Sequence, residues 1–183
     1  MHIRDRLVLD HLDIAADERL LVAGRNGAGK STLLAVLAGR LDPVDGVVHR
    51  RRGLRVGLFT QDIAIEQPTR TARAVYAHRL GPERAATTPL ATLGLLAPKD
   101  VDRPVVELSV GQRRRLELAL LVADAPQLIL LDEPTNHLSP ALVEEVEEAL
   151  DSSPGAVVVA SHDRWLRRRW AGRELRLEDG RPA

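Results

Sequence analysis

The stretch Leu20 to Gly39, LLVAGRNGAGKSTLLAVLAG, constrains the fold more than any other part of the chain. Within it, Gly24-Arg25-Asn26-Gly27-Ala28-Gly29-Lys30-Ser31 satisfies G-x-x-x-x-G-K-[ST] at every fixed position. The apolar run Leu20, Leu21, Val22, Ala23 ahead of it predicts a buried strand, and Ser31 to Leu37 after it predicts a helix. Strand, loop and helix in that order are what the motif requires. Glycines let backbone N–H groups turn inward around phosphate oxygens, and the helix start adds partial positive charge there. Lys30 then reaches the β- and γ-phosphates, and the Ser31 hydroxyl ligates Mg²⁺. A glycine-rich turn carrying GKS by chance would need the loop, the strand and the helix to coincide independently. The stretch therefore reads as a nucleoside-triphosphate site.

A chain of 183 residues makes one domain with a substantial core. Lys+Arg and Asp+Glu both number 26, so no global charge points to nucleic acid or membrane. The basic side is nearly all arginine, with lysine only at Lys30 and Lys99. Cysteine is absent, which excludes disulfides and thiolate metal sites. No apolar run reaches the length of a membrane span, and the N-terminus has no signal-peptide pattern. A cytoplasmic location without direct membrane insertion is the expectation.

Leu7, Leu9, Leu12 and Ile14 sit among polar residues in a pattern that predicts one or two short strands before the phosphate loop. Asp42-Pro43-Val44-Asp45-Gly46 predicts a turn closing the first helix. Val47-Val48 and Leu54 to Phe59 read as strands, with Arg50-Arg51-Arg52-Gly53 between them as a solvated hairpin tip rather than a nucleic-acid contact. Gln61 follows a strand end, where its amide could reach a metal or water near a γ-phosphate. From Thr71 to about Leu96 apolar residues recur at helical spacing, broken by Pro82, Pro89 and Pro98, which predicts a small helical insertion.

Leu108-Ser109-Val110-Gly111-Gln112 opens the next helix, with Ser109 as its N-cap. Such a start is also an anion site, and taken alone the pentapeptide reads as a cap. Gln127 to Leu131 is a continuous apolar run ending in Asp132-Glu133, the pattern of a buried parallel strand. Ligands lie beyond the C-terminal strand ends of such a sheet, so both carboxylates should face the phosphates. Asp132 suits Mg²⁺ held through water, and Glu133 suits the group that polarises attacking water. Pro134 to Leu138 turns the chain, and Ser139-Pro140 starts an amphipathic helix running to Leu150. Gly155 to Ala160 is a further buried strand, ending in Ser161-His162-Asp163. A histidine at that edge could contact the γ-phosphate, though a lone histidine is more often structural. Arg167-Arg168-Arg169 sits between Trp165 and Trp170. Such a cluster could stack on RNA bases, but tryptophans packing a terminal helix with arginines in solvent is the favoured reading. Glu174 to Glu178 predicts an edge strand.

Together these elements resemble an ATP-binding cassette nucleotide-binding domain over almost the whole chain. They occur in family order: the phosphate loop Gly24–Ser31, the Q-loop Gln61, the signature LSVGQ at Leu108–Gln112, LILLDE at Leu128–Glu133, and the switch His162. Glu133-Pro134-Thr135-Asn136-His137-Leu138 is similar to the ABC-F subfamily, whose members are two-cassette, non-transporting ATPases that act on ribosomes in translation or antibiotic resistance. LSVGQRRRLELA looks like the form found in second cassettes of that subfamily. The resemblance implies an α/β P-loop NTPase fold: a mainly parallel central sheet, a small antiparallel part, and a helical insertion at about 66–124 carrying the signature, all within residues 1–183 as a single ATP-binding domain.

It further implies that ATP lies between two cassettes packed head to tail. Gly24, Asn26, Gly27, Ala28, Gly29, Lys30, Ser31 and Thr32 would hold it on one face, with Ser31, Gln61 and Asp132 serving Mg²⁺. Glu133, His162 and Gln61 would be the catalytic groups, and Ser109, Gly111 and Gln112 would contact nucleotide on the opposite cassette. The implied partners are a second cassette, in a longer chain or as a homodimer, and the ribosome with its RNA. Three positions depart from the pattern. Ser139 replaces the usual aspartate, Val110 replaces the first signature glycine, and no aromatic residue precedes Phe59 to stack on adenine, for which His2 is a poor substitute. With one cassette and no long charged linker, the expectation is a fragment of a two-cassette chain or a half-size protein. A transporter's ATP-hydrolysing subunit and an ATP-dependent clamp with little turnover are the other function classes.

Overall fold

A computed structural model describes residues 7–60, 65, 67–134 and 155–183. They form two compact units. The first comprises residues 7–60, 126–134 and 155–183, and the second residues 65 and 67–125.

The first unit is built on a sheet of β1 (Arg19–Gly24), β2 (Val56–Phe59), β3 (Leu128–Asp132), β4 (Ala156–Ser161), β5 (Arg173–Glu178) and β6 (Arg181–Pro182), in the order β2-β3-β4-β1-β5-β6. All neighbours are parallel except β5 and β6, whose two-residue ladder is antiparallel. The central strands are apolar because both faces are covered. Every residue of β3 and of β4 is buried. Helix α1 (Lys30–Leu37) packs on β1, β3 and β4 through Leu33 and Leu34, which join Leu20, Val22, Leu130 and Val158 in one core. Parallel registry brings the C-terminal ends of β1, β3 and β4 to one edge: Asp132 lies opposite Ala160, and Ala23 opposite Ser161.

Two expected strands do not form. Leu7, Leu9, Leu12 and Ile14 pack half-buried against the core but join no ladder; there Val8 N–H donates to the Gly180 carbonyl at 2.7 Å. Val47 and Val48 are irregular chain, and Val47 is exposed. Leu54 and Arg55 likewise precede β2 rather than belonging to it. Alternation of apolar and polar residues describes any extended segment with one side on a core. Only a hydrogen-bonding neighbour makes it a strand.

The second unit is helical. Helix α2 (Ala72–Leu80) starts from Thr71, whose hydroxyl accepts from Ala74 N–H at 3.2 Å. The prolines expected to break helices also begin them: Pro82 opens α3 (Pro82–Thr87), and Pro98 opens α4 (Pro98–Val101). A first-turn proline lacks only an N–H that would have no helical partner. Pro89 precedes the 3₁₀ turn Leu90–Leu93, and Pro104 precedes another at Val105–Glu107. Helix α5 (Val110–Asp124) follows, and Tyr76, Leu90, Val101, Val105 and Leu116 fill the interior. In the first unit the chain adds α6 (Arg164–Arg169) between β4 and β5. No helix among the described residues is long and apolar enough to cross a membrane.

Candidate functional site

The phosphate loop joins β1 directly to α1. Gly24 ends the strand, Asn26 and Gly27 are exposed in the loop, and Ala28 turns back into the core. Gly29 caps α1 with φ of 98°, a left-handed conformation that costs glycine little. Lys30 therefore begins the helix one residue earlier than predicted. Ser31 is exposed in the first turn, Thr32 is half-buried behind it, and Leu33 and Leu34 anchor the helix.

Lys30 is 5% exposed, so its ammonium needs partners. It donates to the carbonyls of Gly24 at 2.8 Å and Arg25 at 3.2 Å, and its Nζ lies 3.3 Å from Glu133 Oε1. The loop backbone thus holds the lysine that the motif assigns to phosphate.

Glu133 is the meeting point of the site. It is 4% exposed and follows the last residue of β3 with φ of 49°. A non-glycine residue in that region carries backbone strain, held here by the Glu133 N–H bond to the Ala160 carbonyl at 2.9 Å. The turn brings its carboxylate to Lys30, to His162 Nδ1 at 2.8 Å, and to the Ser161 hydroxyl, which donates to Oε2 at 3.3 Å. Asp132, still in the ladder, is buried beside it. His162 is partly exposed, with its ring anchored on Glu133. Three expected site residues, Lys30, Glu133 and His162, are therefore joined by direct contacts.

Ser161 and Asp163 were given no role from sequence. The buried Ser161 hydroxyl also accepts from Asp163 N–H at 3.1 Å, and the Asp163 carboxylate caps α6 by accepting from Trp165 N–H at 2.7 Å. Both residues fix the backbone on either side of His162. A serine and an aspartate flanking a strand-end histidine are the sequence signal from which a role could have been found.

The signature segment lies in the second unit. Ser109 caps α5 in a reciprocal box: its hydroxyl accepts from Gln112 N–H at 3.2 Å, and Gln112 Oε1 accepts from Ser109 N–H at 2.8 Å. Gln112 Nε2 donates to Asp100 Oδ2 at 2.7 Å, and Arg103 donates to Asp100 Oδ1 at 3.1 Å. Asp100, buried in α4, was not singled out from sequence. Gly111 is half-buried, and Ser109 is exposed. Gln61, the segment from Thr135 through Asn136, His137, Leu138 and Ser139, and the helix expected after it lie outside the described residues.

For Mg²⁺ the available donors are hard oxygens, the Ser31 hydroxyl and the Asp132 carboxylate, which suit that ion. The described residues hold no cluster of three or more His, Asp or Glu side chains that would bind a metal by themselves. Such a pair fits an ion shared with a nucleotide's phosphates.

The family model described as ABC transporter matches residues 9–136. The tylosin resistance ATP-binding protein TlrC of Streptomyces fradiae is 48% identical over 179 residues, covering 97% of this chain and 32% of the relative. The ATP-binding cassette sub-family F member 3 of Mus musculus is 38% identical over 162 residues, covering 85% of this chain and 23% of the relative. The chain thus spans about a third or less of the length of these curated relatives. Among solved structures, the dimeric post-hydrolysis state of the cassette MJ0796 bound to ADP and Pi superimposes with a TM-score of 0.80 at 26% identity, covering 93% of this chain and 85% of that one.

Proposed function

We propose, from the premise that this chain belongs to the ATP-binding cassette family and is an ATPase of its ABC-F type, that it uses ATP to act on the ribosome. The observation that carries this reading is the likeness of almost the entire chain to a tylosin resistance ATP-binding protein. Protection of the ribosome from an antibiotic is accordingly the favoured form of the activity, with a translation-factor role as the other form. Residues 133–138, Glu-Pro-Thr-Asn-His-Leu, support the same subfamily.

In this reading a second cassette closes head to tail over the nucleotide; the neighbour bound to ADP and Pi is dimeric, which supports a second cassette. Gly24 to Thr32 bind the phosphates, and Ser109, Gly111 and Gln112 of the opposing cassette complete the site. Ser31 and Asp132, with Gln61, would hold Mg²⁺, which supplies positive charge to the phosphate oxygens. Glu133 accepts a hydrogen bond from the attacking water and polarises it, while His162 orients the Glu133 carboxylate. Phosphoryl transfer needs no covalent intermediate on the protein, only this alignment and charge stabilisation.

The test is co-sedimentation of the Glu133→Gln chain with ribosomes, with and without ATP. ATP-dependent pelleting is expected. If the chain stays in the supernatant under both conditions while still binding ATP, the ribosomal role is wrong, and coupling to a membrane transporter becomes the reading to pursue.

A further inference from the structure

The WLRRRW segment is a sequence feature that the ATP site does not use. It forms α6, and at about 100° per residue its side chains separate into distinct faces. Leu166 is buried and anchors the helix, while Arg167 is engaged by Glu174 through bonds of 2.8 and 2.6 Å. Arg164, Arg168, Trp165 and Arg169 fall in sequence around a single arc of about 140°. All four are exposed, Trp165 by 43%.

That exposure corrects the favoured sequence reading, in which both tryptophans packed the terminal helix. Trp170 is half-buried, with its indole N–H shielded from solvent, whereas Trp165 stands in solvent with the Arg169 guanidinium 4.3 Å from its ring centroid. Arg164 and Arg168 make no ion pair among the described residues. Among the described residues, Asp163 caps the helix and Glu174 holds Arg167. In a chain whose formal net charge is +0, this is a local concentration of positive charge around an open aromatic face.

We propose that this face of α6 binds single-stranded RNA, with an unpaired base stacked on Trp165 and backbone phosphates on Arg164 and Arg168. The chemistry follows from the residue set. Guanidinium groups pair with phosphate oxygens, a flat indole accepts any base, and Arg169 already stiffens that indole. A protein partner would gain little from three arginines around one tryptophan unless it were acidic. The preference for RNA over DNA rests on the ribosomal role proposed above. Because α6 starts two residues after His162, bound RNA would sit on the segment that carries the histidine contacting Glu133.

The experiment is equilibrium filter binding of the full chain to a twelve-nucleotide oligouridine, the matching DNA and a duplex RNA, over a range of salt. Tighter binding to single strands than to duplex is expected, with log Kd rising against log salt at a slope of about 1.4, as two phosphate contacts require. Arg164→Glu with Arg168→Glu should weaken binding at least tenfold, and Trp165→Ala should weaken it about tenfold, with ATP turnover unchanged in both. As a direct reading of the stack, Trp165 fluorescence in a Trp170→Phe background should be quenched by oligouridine; the chain has 2 tryptophans. Undiminished affinity in the double arginine variant overturns the proposal, as does crosslinking from position 165 on ribosomes to protein alone. Failure of the unsubstituted chain to bind oligouridine while it still pellets with ribosomes would refute this surface and spare the ribosomal role. The reverse pattern would refute the ribosomal role and leave the surface.

Discussion

Replacing Glu133 by glutamine separates two effects that the structure ties to one carboxylate. Glu133 Oε1 lies 3.3 Å from the Lys30 ammonium, and both side chains are buried. At an effective dielectric constant of about 20, the attraction across that distance is about 5 kcal/mol. Glutamine retains an oxygen that can accept from Lys30, which recovers about 1.5–3 kcal/mol of charge-assisted hydrogen bonding. The net loss is about 2–3.5 kcal/mol, which in a chain of 183 residues lowers Tm by about 4–14 °C. In the proposed nucleotide site, phosphate would compete with Glu133 for the same ammonium, so weakening this pair should tighten binding of a non-hydrolysable ATP analogue. A gain of 2 kcal/mol is about thirtyfold in Kd. Calorimetric titration at several protein concentrations is the assay. Dimerisation driven by trapped nucleotide would make the tightening depend on concentration, whereas release of Lys30 would not. Turnover should fall in the same variant because the carboxylate proposed to polarise water is gone. Unchanged affinity together with unchanged Tm would refute the competition.

Three other perturbations probe the frame around the site. A Cβ on Gly24 would lie 2.5 Å from the Leu177 carbonyl oxygen, so Gly24→Ala must push β1 from β5 and should cost about 1–3 kcal/mol; an unaltered melting curve would contradict that approach. Asp100→Ala leaves Gln112 Nε2 and Arg103 without their carboxylate and should cost about 2–3 kcal/mol by urea denaturation, with Asp100→Asn recovering about half; equal losses would mean that the bond to Gln112 contributes nothing. Burial raises the pKa of Tyr76, with the Arg84 charge opposing in part, and its hydroxyl donates to the Thr88 carbonyl at 2.7 Å. A raised folded pKa gives stability that is full below the unfolded value near 10 and is lost as pH rises through the folded one. Tyr76→Phe should therefore cost about 1 kcal/mol at neutral pH and flatten the alkaline fall; parallel urea midpoints from pH 8 to 11 would rule this out.

Much of this architecture was legible because a few residues carry strong local physics. The run Leu128 to Leu131 could only be a doubly covered strand, and Gly29-Lys30 could only begin a helix from a tight loop. Contacts set by strand order were not legible. β4 inserts between β3 and β1, bringing Ser161 and His162 beside Glu133, and no periodicity encodes that neighbour. Asp100 was hidden for a similar reason. An acid near a short proline-led helix looks solvated until the fold brings Gln112 against it. Leu7 to Ile14 show the opposite failure, a convincing alternation with no strand beside it to form a ladder.

The conformation of Glu133 explains how two consecutive carboxylates can take different positions. In a continuing strand, Asp132 and Glu133 would point to opposite faces of the sheet, and one would be carried away from the phosphate loop. The left-handed turn at Glu133 ends the ladder after Asp132 and redirects the second side chain along the strand ends, toward Lys30 and His162. The strain of such a residue is about 1–3 kcal/mol, and glycine there would remove it. Glycine would also remove the carboxylate that joins the β1 loop to the β4 end, so no substitution at position 133 relieves the backbone and keeps the site. Local conformational preference is overridden at the residue where three strand ends converge, which is where a departure from it is expected to be functional.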